Sequence, residues 1–244
     1  MTTDGPVAVV TGGSRGLGFA LASSLIGEGW RVAIDGRDPQ ALAEAVRALR
    51  DIAVGAGGDA VKAVVGISGD VADPAHRAAL LAAASALGPV ALLVNNASVL
   101  GPSPLPPLAD YPLDALTDVF AVNVVGPLAL IQATLGDLRR TGGTIINVTS
   151  DAAVEGYPGW GGYGSSKAAL EQLSRVLAAE EPDVRVYWFD PGDMRTAMHQ
   201  EAFPGEDIAD RPEPTSVVPA LRRLLREAPP SGRYRAAEWQ EATS

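Results

Sequence analysis

Short, nearly unbroken apolar runs recur along the chain: PVAVVT, WRVAID, DAVKAVV, PVALLVN, GTIINVTS and VRVYWFD. Each is rich in β-branched residues and lacks the strict apolar/polar alternation of a half-solvated strand, so each predicts a strand covered on both faces. Between them lie stretches with Ala and Leu at helical spacing, at 17–27, 39–51, 74–87, 113–138, 164–180 and 215–226. Strand and helix alternate throughout. That order predicts an α/β fold in which right-handed crossovers build a doubly wound parallel sheet, with three layers, α/β/α. No linker, repeat or low-complexity tract divides the chain, so residues 1–244 are expected to form a single domain. The main interruption is FPGEDIADRPEP at 203–214, whose prolines and acids predict an irregular segment, part of an expected lid over residues 194–214.

Composition narrows the function classes. A hydrophobic content of 47% over 244 residues supports a sizeable core. The formal charge of −10, with 19 Lys and Arg scattered among 29 Asp and Glu, argues against a nucleic-acid or anionic-membrane surface, so any anionic ligand must be gripped locally. There is no cysteine, and only His76 and His199 offer imidazole, so no metal is expected. The chain shows no unbroken apolar run of bilayer length, and its start, MTTDGPVAVV, lacks a basic region followed by a long apolar segment. A cytoplasmic location is the expectation.

Two stretches carry candidate chemistry. In TGGSRGLG, Thr11 to Gly18, glycines at 12, 16 and 18 follow the first strand and open a helix. That context suits backbone N–H groups cradling a pyrophosphate at a helix N-terminus, with Ser14, Arg15 and Leu17 in the same loop. In YGSSKAAL, Tyr163 and Lys167 are four residues apart, which puts phenol and ammonium on one helical face. Taken alone, that spacing is better explained by a solvated face with a half-buried ring.

TGGSRGLG, NNAS (Asn95 to Ser98), Asn123, Ser150, Tyr163 with Lys167, and PGDMRT (Pro191 to Thr196) occur in the order and spacing of the short-chain dehydrogenase/reductase family, which this chain resembles over almost its whole length. The resemblance implies a Rossmann-like fold and the interconversion of a carbonyl and a secondary alcohol by hydride transfer with a nicotinamide cofactor. It implies Tyr163 as proton donor or acceptor, Ser150 as the hydrogen-bonding partner of the substrate oxygen, Lys167 as holder of the nicotinamide ribose, and Asn123 behind a water-linked relay. It also places Asn96 in the cofactor cleft, Asp70 and Val71 beside the adenine, and the Met194 backbone and Thr196 at the carboxamide. A phenol titrates near pH 10, and Lys167 together with an oxidised nicotinamide is expected to lower Tyr163 toward the working range.

Departures bear on substrate and cofactor. The family's common NNAG is NNAS here, so Ser98 adds a side chain at the substrate edge, and the ending SGRYRAAEWQ lacks the Asp-Gly-Gly of acyl-carrier-protein ketoreductases. Trp160, Tyr157, Met194 and Met198 form either an apolar substrate wall or plain core or interface. In WRVAIDGRD the family's ribose-binding acid falls at Gly36, one place after Asp35, which alternation turns to the other side of the strand. Arg37 follows at once, and Arg15 sits in the glycine loop. Two guanidiniums and no acid at 36 suit a 2′-phosphate, so NADP(H) is the expected cofactor. By resemblance, and because helices 113–138 and 164–180 are apolar on more than one face, a homotetramer or dimer is expected. The competing reading is an NADP(H)-binding regulatory or scaffold protein on the same fold.

Overall fold

The computed structural model describes residues 5–239; residues 1–4 and 240–244 of the expected domain lie outside the described residues. The strands are β1 (Val7–Val10), β2 (Arg31–Gly36), β3 (Val64–Ser68), β4 (Val90–Asn95), β5 (Thr144–Val148), β6 (Arg185–Asp190) and β7 (Gly232–Arg235). All are parallel and lie in one sheet in the order β3-β2-β1-β4-β5-β6-β7. The helices are α1 (Gly16–Gly27), α2 (Pro39–Gly55), α3 (Ala60–Ala63), α4 (Pro74–Leu87), α5 (Leu113–Phe120), α6 (Gly126–Thr141), α7 (Gly161–Glu180), α8 (Ala197–Ala202), α9 (Val218–Glu227) and α10 (Ala236–Trp239).

The period-2 alternation of β1 sorts the two faces. Ala8 and Val10 join the core made with α1, α2 and α9, while Val7 and Val9 join the one made with α4 and α6. Both faces are therefore dry, as the continuous apolar runs predict, and a fully buried leucine such as Leu21 or Leu93 contributes about 1.5–3 kcal/mol. Local signals fix the helix starts. Asp38 and Asp73 cap α2 and α4 through their carboxylates, and each is followed by a proline at the first helical position, where the missing N–H costs nothing.

Three departures from the expected elements have physical reasons. In DAVKAVV, Asp59 caps the helical turn α3, so β3 begins only at Val64. The expected helix 113–138 continues to Thr141 through a π-helical turn, Ala121–Val125, which holds Asn123. Taken as one helix, Leu113–Thr141 is long and apolar enough to cross a membrane by length and composition, a property that an unbroken-run criterion does not register; here 50% of its apolar window is buried inside the fold. Finally β7, GRYR, escapes the pattern because it is an edge strand, half exposed and with no apolar run to announce it.

Chain order reverses between β1 and β4, at the centre of the sheet. Loops leaving the carboxyl ends of these two strands diverge and open a crevice, the usual ligand position in a doubly wound sheet.

Candidate active site

A cavity of about 1880 Å3 runs across that crevice, from the loop after β1 to the residues after β6. At one end the chain turns through Gly12 and Gly16, both at positive φ (65° and 57°), a conformation glycine adopts at little cost. Gly18 stands behind the lining, where an added Cβ would sit 2.5 Å from the Gly12 carbonyl oxygen; its role is to let α1 approach β1, not to touch ligand. Asn96 clamps the same turn from β4, its amide donating to the Thr11 oxygen at 2.8 Å and its backbone N–H to Thr11 Oγ1 at 3.0 Å. Ser14, Arg15, Gly16 and Leu17 line the cavity, as do Arg37, Asp70 and Val71. Asp70 also holds its own turn by accepting from Ala72 N–H at 2.8 Å.

The residues present fit a dinucleotide. A helix N-terminus faces the cavity behind glycines with open space around Gly16, where only a Thr196 methyl lies near a built Cβ, at 3.7 Å. Arg15 and Arg37 are exposed, both border the cavity, and neither guanidinium has a hydrogen-bond or ion-pair partner among the described residues. Arg15 makes no side-chain cap to α1. Asp35 also borders the cavity, but its carboxylate is committed: it is buried, accepts from Gly12 N–H at 2.6 Å, and pairs with His76 Nε2 at 3.0 Å. That pair raises the His76 pKa above its ordinary value, the hydrogen bond to Asp35 outweighing burial.

The other half of the cavity gathers Ser150, Tyr163 and Lys167. Ser150 leaves β5 and caps the following turn; its hydroxyl donates to Asp151 Oδ1 at 2.9 Å and accepts from Ala152 N–H at 3.2 Å. Tyr163 and Lys167 project from one face of α7, with Lys167 Nζ 5.4 Å from the ring centroid and donating to the Val148 carbonyl at 2.9 Å. The Ser98 and Ser150 hydroxyls, which donate to Asn123 Oδ1 and Asp151 Oδ1, lie near the Tyr163 phenol and act to lower its pKa. Asn123 lies behind the lining, fully buried. Its amide accepts from Ser98 Oγ (3.0 Å) and Val99 N–H (2.9 Å) and donates to the Val99 oxygen (2.9 Å) and Ser166 Oγ (3.0 Å). With that side chain committed, any part Asn123 takes in a relay runs through its main chain.

The protein's own side chains set the starting point for the phenol. Burial pushes the Tyr163 phenol above its ordinary value, Asp190 and Asp151 push it further, and the nearby Ser98 and Ser150 hydroxyls offset only part. Burial also lowers Lys167 to about 7, so near neutral pH its ammonium is only partly populated and gives Tyr163 less help than a full charge would. Without an added cation, the site keeps the phenol protonated.

Around this cluster Leu100, Ala152, Tyr163 and Ala202 form a small apolar core, with Trp160, Met198 and Phe203 packed on it. Trp160 meets Tyr163 edge to face at 5.8 Å. Met198 and Phe203 come from α8 and the residue after it, inside the segment expected as a lid. Met194 does not join this wall; it packs on the core under α1 and α9, though it too borders the cavity. Tyr157 is exposed and donates to Asp151 Oδ2 at 3.0 Å. Thr196 caps α8 by accepting from His199 N–H at 3.2 Å, which leaves its own proton free to donate into the cavity.

Sequence reasoning missed the buried polar residues that hold these parts. Asn95 donates to Asn147 at 2.7 Å, and Asn147 to Ser174 on α7 at 2.8 Å, a chain across the sheet centre. Asp190 and Glu171 converge on Arg233. The available signal was a polar residue inside or ending an apolar run, as in GTIINVTS and VRVYWFD.

Comparison with known proteins gives the family. The short chain dehydrogenase family model matches residues 6–207. A short-chain type dehydrogenase/reductase of Picea abies is 38% identical, over 72% of this chain and 65% of that protein. Cis-1,2-dihydrobenzene-1,2-diol dehydrogenase of Pseudomonas putida is 35% identical, over 98% of this chain and 82% of its own length. Among solved structures, the alcohol dehydrogenase of the archaeon Thermococcus sibiricus, crystallised with 5-hydroxy-NADP, superposes with a TM-score of 0.82 at 27% identity, covering 98% of this chain and 99% of that one. With the family model matching residues 6–207, a relative 35% identical over 98% of this chain and a solved structure of the same fold, the chain belongs to the short-chain dehydrogenase/reductase family of oxidoreductases.

Proposed function

We propose that this protein is an NADP(H)-dependent oxidoreductase that interconverts a carbonyl and a secondary alcohol, with Tyr163 as the proton donor and acceptor. One observation carries the reading: a buried phenol flanked by two serine hydroxyls and a buried lysine lies in the same cavity as a glycine turn and two guanidiniums, Arg15 in that turn and Arg37 after β2, that have no partner among the described residues. When bound, the cofactor supplies or takes the hydride. Gly12, Gly16 and the start of α1 hold its pyrophosphate, Arg15 and Arg37 a 2′-phosphate, Asp70, Val71 and Asn96 the adenine side and cleft floor, and Lys167, Met194 and Thr196 the nicotinamide end.

In reduction, the Ser150 hydroxyl turns from Asp151 to the substrate oxygen and fixes it beside the phenol. Tyr163, held in its acid form by burial and by Asp190 and Asp151, then gives its proton to the oxygen as negative charge develops there. In oxidation the phenol must first lose that proton, so the same environment works against it and the reaction needs higher pH. Trp160, Met198 and Phe203 offer the substrate an apolar wall. The alcohol dehydrogenase with 5-hydroxy-NADP supports the cofactor assignment by analogy. The test is a screen of ketones and secondary alcohols followed by nicotinamide absorbance: turnover with NADPH or NADP is expected, and a pure protein that binds cofactor yet turns over none of them would favour a regulatory role.

A further inference from the structure

Arg233 lies on β7, far from the cofactor-binding turn, and it borders no part of the cavity. Its guanidinium nevertheless meets three pieces of the site. Nε donates to Glu171 Oε1 at 2.9 Å, and Nη2 donates both to Asp190 Oδ2 at 3.0 Å and to the Ser150 carbonyl oxygen at 3.2 Å. Glu171 lies one turn beyond Lys167 on α7 and is 1% exposed; it also accepts from Thr149 Oγ1 at 2.9 Å. Asp190 is 4% exposed, and its other oxygen accepts from Gly192 N–H at 3.0 Å, at the start of the PGDMRT loop. One planar fork thus ties together the loop of Ser150, the helix of Tyr163 and Lys167, and the loop that carries Met194 and Thr196.

We propose that Arg233 is a positioning residue for the reaction, setting the distance between Ser150 and Tyr163 through this three-way bridge. The inference rests on the function proposed above. Guanidinium geometry is what the bridge requires. A lysine supplies the charge, but its single nitrogen cannot hold the fixed, divergent directions that span Glu171, Asp190 and a main-chain oxygen. A comparison residue lies close by: Arg175 donates to the other oxygen of Glu171 at 2.9 Å but touches neither Ser150 nor Asp190. It shares the ion pair without the bridge.

The experiment compares Arg233→Lys, Arg233→Gln and Arg175→Gln in the full chain. Arg233→Gln is expected to lower kcat on the order of 10- to 100-fold, the range a misplacement of about 1 Å produces, while KM for cofactor changes less than about threefold. Arg233→Lys should restore folding stability but only part of kcat. Arg175→Gln should lose stability and keep kcat. Independently of turnover, amide hydrogen exchange in the segment 148–156 should speed up in both Arg233 variants and stay unchanged in Arg175→Gln. Equal kcat losses in Arg233→Gln and Arg175→Gln, full recovery by lysine, or unchanged exchange at 148–156 would each overturn the proposal. If Arg233→Gln does not fold, the lysine variant and the exchange measurement still decide. If wild-type protein turns over no carbonyl or alcohol, the functional reading fails, while the exchange data still report whether Arg233 grips the serine loop.

Discussion

Replacing Arg37 with alanine should weaken NADPH selectively, and its magnitude can be worked from the site. The guanidinium is exposed and has no partner among the described residues, so its loss strands no buried group and should change stability by no more than about 0.5 kcal/mol. A hydrogen bond to a charged group contributes about 1.5–3 kcal/mol, and solvent exposure reduces that, so about 1–2 kcal/mol is expected against the 2′-phosphate. That is roughly a 5- to 30-fold rise in KM for NADPH, with KM for NADH within about twofold. Arg15→Ala should behave alike. The double variant should fall short of the sum, because both residues act on one phosphate. Raising salt from about 0.01 to 0.15 M should erode the wild-type preference and leave the double variant indifferent. The assay is kcat/KM for both cofactors at fixed ionic strength. A wild-type enzyme that favours NADH, or an Arg37→Ala that weakens both cofactors equally, refutes the reasoning. The converse substitution, Gly36→Asp, is more demanding than alternation suggests: its Cβ would lie 2.7 Å from Ser14 Oγ, so reversal of preference should require Ser14→Gly as well.

Tyr163→Phe should lower kcat on the order of 10^2- to 10^4-fold while cofactor affinity by fluorescence titration stays within about twofold; near wild-type kcat would sink the proton-transfer role. Because burial and two carboxylates raise the phenol pKa, kcat for oxidation should climb with pH through the range in which kcat for reduction stays flat, and a bell centred near neutrality in both directions would contradict this. Lys167→Met should lose activity, weaken cofactor binding and change the pH dependence of stability. The folded pKa, about 7, lies below the ordinary 10.5, so the unfolded chain binds the extra proton between those values and wild-type stability should gain on the order of a few kcal/mol as pH rises through that window. Lys167→Met should lack that rise, seen by denaturant melts at several pH values. Leu113, Val125 and Val176 expose apolar surface on α5, the π turn and α7, so we propose a dimer or tetramer through these helices; light scattering at the 25.1 kDa of one chain would refute it.

What the sequence made legible was what is local in the chain. Tyr163 and Lys167 need only helical spacing to meet. Asp38 and Asp73 need only the proline that follows. Six strands show as apolar runs because both faces of the sheet are dry. The seventh does not, since an edge strand reading GRYR has no such run, and α3 took the first half of DAVKAVV because a capping aspartate decides a turn that composition leaves open. The electrostatics were less legible still. Spacing put a cation beside the phenol, but whether that cation is charged depends on burial, which arises only when α7 closes over β5.

The same distinction explains why the bridging arginine gives no local sign. Ser150 and Arg233 are 83 residues apart in sequence, Glu171 and Arg233 62 apart, and Asp190 and Arg233 43 apart. Each carboxylate sits at a position where apolar periodicity predicts core, and a buried carboxylate is costly unless a charge and well-aligned donors meet it. Asp190 closing VRVYWFD, and Glu171 on the buried face of α7, therefore imply a cationic partner from somewhere in the chain. The sheet order supplies it: β7 is the neighbour of β6, and Trp188 is registered with Arg233, which sets the guanidinium beside both acids. An arginine at an edge strand reads as solvated in the sequence, and only the parallel register turns it inward to hold the serine, the tyrosine helix and the nicotinamide loop at once.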